Sequence, residues 1–144
     1  VAIIKPFQGY RPPSKIVSKV SSPPYDVISS EEAREIVKNN PDSFLRVSKP
    51  EIDFPPGNEP KGNALYEHGA HNLQTFINEE KLRQDSCSCF YLYQIIMGDH
   101  HQTGIMATVS VNEYNQGRIK KHEFTREEKE NDRTRHIEIT NANT

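Results

Sequence analysis

The sequence predicts an α/β chain of the α+β type, with a mixed, partly antiparallel sheet flanked by helices. Three observations carry that expectation. Ser29 followed three residues later by Glu32 is a capping box, the signature of a helix start. Tyr66, Ala70, Leu73 and Ile77 recur at helical spacing, with Phe76 beside them. "CFYLYQIIM" is rich in aromatic and β-branched residues, and in "IMATVSV" Ile105, Ala107, Val109 and Val111 alternate with Met106, Thr108 and Ser110.

Each element follows in chain order. "AIIKPFQGYRPP" is a short apolar strand that stops at Pro12 and Pro13, which have no N–H to give to a sheet ladder. The helix opened by Ser29 presents Ala33, Ile36 and Val37 on one face and ends at Asn39-Asn40-Pro41. "SFLRVSKPEI" is expected to be a strand sending Phe44, Leu45 and Val47 to the core. Residues 50 to 63, with four prolines and two glycines, read as a loop. The second helix begins near Ala64, and its pattern stops after Leu82. "CFYLYQIIM" is expected to be a buried strand, "GDHHQTG" a turn and "IMATVSV" the returning strand of a hairpin. "NEYNQG" makes a second turn closing at Gly117, and "RIKKHEF" is expected to be a third antiparallel strand. Thr125 with Glu128 repeats the capping box and starts the last helix. No internal repeat or clean boundary interrupts residues 1–144, so a single domain is expected.

Hydrophobic residues make up 33% of the 144 and charged residues 26%, yet the net charge is only −2. The high net charge of disordered chains is therefore absent, and a folded domain with a modest core and large polar loops is expected. The same balance argues against DNA or a membrane surface as partner, since either needs a surplus of positive charge. No apolar run approaches the ~20 residues that span a bilayer. "VAIIKPFQGYRPP" has neither the basic start nor the apolar stretch of a leader, so a cytoplasmic location is expected. Cys87 and Cys89 are the only cysteines. One intervening residue is too short for an easy disulfide, and no second Cys or His pair stands at zinc-binding spacing. Free thiols are expected.

The last helix carries the chemistry. Thr125, Lys129, Asp132, Arg133 and His136 fall on one face, the face an ordinary amphipathic helix makes apolar. His122 and Glu123 stand just before its N-terminus, where backbone N–H groups favour an anion. Lys129, Arg133, Thr125 and His122 are candidate phosphate-binding residues, because a guanidinium fork and an ammonium grip phosphate oxygens in complementary ways. Glu123, Asp26 and His136 are candidate catalytic residues, able to move protons, and a carboxylate can hold magnesium. The plainer reading is a solvated helix face laced with ion pairs, and it suits Glu127, Glu128, Glu130, Arg126 and Arg135. For Lys129, Arg133 and His136 both readings stay open. In "SSPPYDVIS", two prolines stiffen the approach to Tyr25 and Asp26, either as a capped turn or as a substrate-facing loop. His100 and His101 read as turn residues, and His68 and His71, with no acidic partner in the pattern, as surface residues.

"IIKPFQGYRPP", "SSPPYDVISSEEAREIV", "SFLRVSKPEID" and "IKKHEFTREEKENDRTRHIEITNANT" together resemble the start of a bacterial family catalogued as domain of unknown function 1015. Members of that family are longer and carry a downstream Asp-Gly-His-His-Arg segment. The resemblance therefore implies an N-terminal part whose missing C-terminal portion would complete it. The family is distantly similar to the ParB/sulfiredoxin-like superfamily, which includes nucleotide-dependent free-serine kinases and CTP-binding partition proteins. That similarity implies a small-molecule substrate, nucleotide with magnesium, and phosphotransferase activity. The alternative it implies is a noncatalytic regulatory module that binds nucleotide or DNA.

Overall fold

Helix signals and strand signals sort into different parts of this chain. The computed structural model describes residues 2–120 and 124–144. In order, its elements are β1 (Ile4–Lys5), β2 (Tyr10–Arg11), α1 (Val17–Val20), α2 (Ser30–Lys38) and α3 (Leu45–Ser48). A 3₁₀ turn (Pro50–Asp53), α4 (Asn63–Asn78), β3 (Arg83–Gln84), β4 (Tyr91–Met97) and β5 (His100–Met106) follow. β6 (Thr108–Val109), α5 (Val111–Asn115) and α6 (Glu127–Thr140) complete the chain, an α+β fold. Two compact units result: a helical one of Pro12–Arg83 with Thr125–Thr144, and a strand-rich one of Val1–Arg11 with Gln84–Phe124.

In the helical unit, the capping box at α2 forms as expected. The Ser29 hydroxyl accepts from the Glu32 N–H at 3.2 Å, and the Glu32 carboxylate accepts from the Ser29 N–H at 2.8 Å. Those bonds hold the Glu32 carboxyl below its ordinary pKa. Ala33 and Val37 are buried, while Ile36 stays exposed.

The segment expected as a strand after α2 is instead α3 followed by the 3₁₀ turn, and this turn also opens the expected loop at 50. Its apolar residues reach the core all the same. Residues two apart on a helix point about 200° apart, so neighbouring Leu45 and Val47 serve two clusters. Leu45 packs with Ala33, Val37 and Ile52. Val47 packs with Val20, Leu73, Phe76 and Leu82.

α4 follows the expected spacing but ends at Asn78, and Glu80, at φ 56, turns the chain so that Leu82 returns to the core. Gly69 lets α4 approach α3: a Cβ there would stand 3.1 Å from the Val47 carbonyl oxygen.

In the strand-rich unit, β1 pairs antiparallel with β6, and β4 with β5 from Tyr91↔Met106 to Met97↔His100. Only Gly98 and Asp99 join β4 to β5, so His100 and His101 stand on β5 and not in a turn. Gly98, at φ 59, takes the conformation that a Gly-first hairpin turn requires. β4 was expected to be buried, yet Leu92 is 80% and Met97 74% exposed.

The expected returning strand at 105–111 is divided: Ile105 and Met106 end β5, and Thr108–Val109 form β6, paired with β1. After β6 the Ser110 hydroxyl accepts from the Glu113 N–H and starts α5, where a turn was expected. Of the expected third strand, residues 118–120 and Phe124 are not in a strand, and 121–123 lie outside the described residues. Tyr91 ties this unit together: its hydroxyl accepts from the Gly9 N–H at 2.7 Å and donates to Asp85 at 2.6 Å. Asp85 also takes both prongs of the Arg11 guanidinium. Among the described residues no helix is long and apolar enough to cross a membrane.

Candidate functional site

A cleft of about 590 Å³ opens within the helical unit. The rigid segment Pro23-Pro24 delivers Tyr25 and Asp26 to its edge. Ser48, Lys49, Pro50 and Glu51 come from the end of α3 and the 3₁₀ turn, and Leu65 and Tyr66 from α4. α6 supplies Glu128, Lys129, Asn131, Asp132 and His136. Glu128, Asp132 and His136 are spaced four residues apart, so the helical period itself aligns them along one face.

Several charges in the cleft already have partners. Lys49 Nζ lies 3.2 Å from Glu51 Oε1, which also accepts from the Ser30 hydroxyl at 2.9 Å. The Tyr66 hydroxyl donates to Asp132 Oδ1 at 2.7 Å. That bond, with burial adding to it, pushes the phenol pKa up to about 12, because ionisation would set a second negative charge against the carboxylate. Asp26, Glu128 and Lys129 are exposed and have no hydrogen bond or ion pair among the described residues.

His136 is the buried member of the stripe, 2% exposed. Its Nε2 lies 3.1 Å from the Val47 carbonyl oxygen. A carbonyl can only accept, so Nε2 carries the proton and Nδ1 is the bare nitrogen. Nδ1 is buried with no hydrogen-bond partner among the described residues. Burial pushes the imidazole pKa below 6.5, and the Arg133 guanidinium adds to the shift. The ring is therefore neutral at neutral pH.

The remaining sequence candidates lie elsewhere. Arg133 does not line the cleft: its guanidinium stacks on the Tyr25 ring at 4.5 Å and donates to the Thr144 carbonyl and hydroxyl, each at 3.1 Å. Burial raises the Tyr25 pKa, and Arg133 opposes that shift. The Thr125–Glu128 capping box does not form, because Arg126 is the N-cap and the Thr125 hydroxyl donates instead to Glu130 Oε2 at 2.7 Å. Thr125 also stands outside the cleft. His122 and Glu123 lie outside the described residues.

Sequence reasoning missed four of the ionisable lining residues. Tyr66 looked like a core position of α4, Lys49 and Glu51 sat beside a proline that read as loop, and Glu128 was assigned to a solvated face. His68 was also misjudged. Its Nε2 lies 2.8 Å from Asp53 Oδ2, a carboxylate that also takes Arg46 and the Asn72 amide. No local pattern joins His68 to a residue fifteen positions earlier. Among the described residues, no three of His, Cys, Asp and Glu converge to hold a metal ion by themselves.

Residues 4–144 match the family described as "Protein of unknown function (DUF1015)". No curated protein and no solved structure matches the chain.

Proposed function

The chain belongs to the DUF1015 family, and from its cleft we propose that it binds a small phosphate-bearing ligand, in the first instance a nucleotide with magnesium. One observation carries this reading: an ammonium, Lys129, shares the cleft with two carboxylates, Asp26 and Glu128, and none of the three side chains is paired among the described residues. Lys129 suits a phosphate oxygen as a point charge. Magnesium is usually held by one or two carboxylates together with the oxygens of a bound phosphate, which fits Asp26 and Glu128 and needs no cage built by the protein alone. When bound, it would neutralise charge on the phosphate.

In the phosphotransferase form of the reading, Asp26 takes the proton of an acceptor hydroxyl. Arg133 then acts through Tyr25, holding the edge of the cleft. His136 supports the alternative, a noncatalytic nucleotide-binding module. Its proton is committed to a main-chain carbonyl and its other nitrogen is sealed from solvent, so it is poorly placed to shuttle protons.

Thermal unfolding with ADP, ATP or CTP, each with and without magnesium, tests the reading. Ligand at one hundred times its Kd should add about 2.7 kcal/mol of stability. Lys129→Ala should lose most of that gain, and Asp26→Asn should lose the part that depends on magnesium. An equal gain in Lys129→Ala, or none with any nucleotide, overturns the proposal. Phosphorylation of a small hydroxyl compound such as serine would select the kinase, and binding without turnover the module.

A further inference from the structure

Cys87 and Cys89 take no part in the cleft, and the structure gives them a relationship that spacing alone did not suggest. The chain bends at Ser86 and Cys87, and the two sulfurs lie 3.6 Å apart. Both are free thiols, Cys87 exposed and Cys89 partly so. Their main-chain anchoring differs. The Cys89 main chain is bonded twice to Phe7, N–H to carbonyl at 2.9 Å and carbonyl to N–H at 3.1 Å, whereas Cys87 lies on the bend outside any strand. A disulfide bond is about 2.05 Å long, so Cys87 need move its sulfur only about 1.5 Å toward an anchored partner.

We propose that Cys87 and Cys89 form a redox-active dithiol, in which a hydroperoxide oxidises Cys87 and Cys89 resolves the product into an intrachain disulfide. The Cys87 thiolate attacks one peroxide oxygen and the O–O bond breaks. The departing hydroxide or alkoxide takes up the proton that the Cys87 thiol gave up and leaves as water or an alcohol, and Cys87, oxidised by two electrons, becomes the sulfenic acid. Cys89 sulfur then attacks Cys87 sulfur: an S–S bond forms, the S–O bond breaks, and the departing hydroxide takes the Cys89 proton to leave as water.

The division of roles follows from position. Cys87 is the open thiol, and Cys89 also donates toward the Cys87 carbonyl at 3.5 Å. The hydrogen bond with Cys87, then burial, pushes the Cys89 pKa up, so Cys89 keeps its proton while Cys87 reacts. A ring with a single intervening residue stores strain, and strained, exposed disulfides are the easily reduced ones. The couple is therefore reversible.

Treating the reduced full chain with hydrogen peroxide, then titrating free thiols and measuring intact mass, tests this. Wild type should lose both thiols and two hydrogens while staying monomeric, and dithiothreitol should restore it. Cys89→Ser should stop at a sulfenic acid that dimedone traps. Cys87→Ser should retain its thiol at the same dose. Wild type that keeps both thiols, that joins only between chains, or that proceeds to sulfinic acid overturns the proposal. So does Cys87→Ser reacting as fast as Cys89→Ser.

Discussion

Leu45 and Leu92 are the same residue in opposite circumstances. Leu45, on α3, is fully buried, and Leu92, on β4, is 80% exposed. Every buried hydrophobic side chain among the described residues belongs to the helical unit, whereas the strand-rich unit buries only Glu113. The helical unit is held by two apolar clusters. The other is held by β-ladder bonds and by polar ties such as Tyr91 to Asp85 and the Glu113 carboxylate to the Ile3 N–H. Apolar composition thus shows which side chains could be covered, and only packing shows which are.

Substitutions can break or sharpen this contrast. Leu45→Ala should cost about 2–5 kcal/mol in chemical denaturation, the range for emptying a buried leucine site. A cost below 1 kcal/mol would mean the cluster is not a working core. Tyr66→Phe removes the donor to a partly buried carboxylate and should cost about 1–3 kcal/mol. If it also leaves nucleotide binding intact, Asp132 holds its place without the phenol. Ser29→Ala should cost about 1 kcal/mol through loss of the cap.

The His136 pKa gives a pH dependence of known sign. It is lower in the folded chain than its ordinary 6.5. Below that value the unfolded chain therefore binds more protons, and stability should rise with pH up to about 6.5 and then level off. His136→Asn should flatten that slope whatever it does to the melting temperature, and an unchanged slope would assign it to other groups. Smallest of all, Leu92→Ala should change stability by less than about 0.5 kcal/mol in the isolated chain. A cost near that of Leu45→Ala would erase the contrast between the units.

The sequence was most legible where one local signal decides the outcome. The Ser29–Glu32 pair placed α2, the spacing from Tyr66 to Ile77 placed α4, and the aromatic and β-branched run at 90–97 placed β4, whereas its partner β5 begins at His100, inside the stretch expected to be a turn. Residues 44 to 53 misled because a run of Phe, Leu and Val fits a strand as well as a short helix feeding two clusters, and periodicity needs more turns to tell them apart. "NEYNQG" looked like a turn and Val111 like the end of a strand, but Ser110 capping Glu113 was enough to wind one turn of helix. Of the candidate site, Lys129, Asp132 and His136 on α6 and the Tyr25–Asp26 elbow could be read from local spacing, whereas Thr125 and Arg133 of the same stripe stand outside the cleft. Lys49, Glu51 and Tyr66 could not, because only tertiary packing carries them to the same cleft.

One oxygen atom joins the cleft to the interior. The Val47 carbonyl receives the His136 proton and is also the atom that Gly69 must clear. A methyl group at position 69 would press on the imidazole's anchor from the opposite helix, and a ligand that shifted the imidazole would pull on α3. Cleft and core thus share a single pivot, so neither can be re-engineered without disturbing the other.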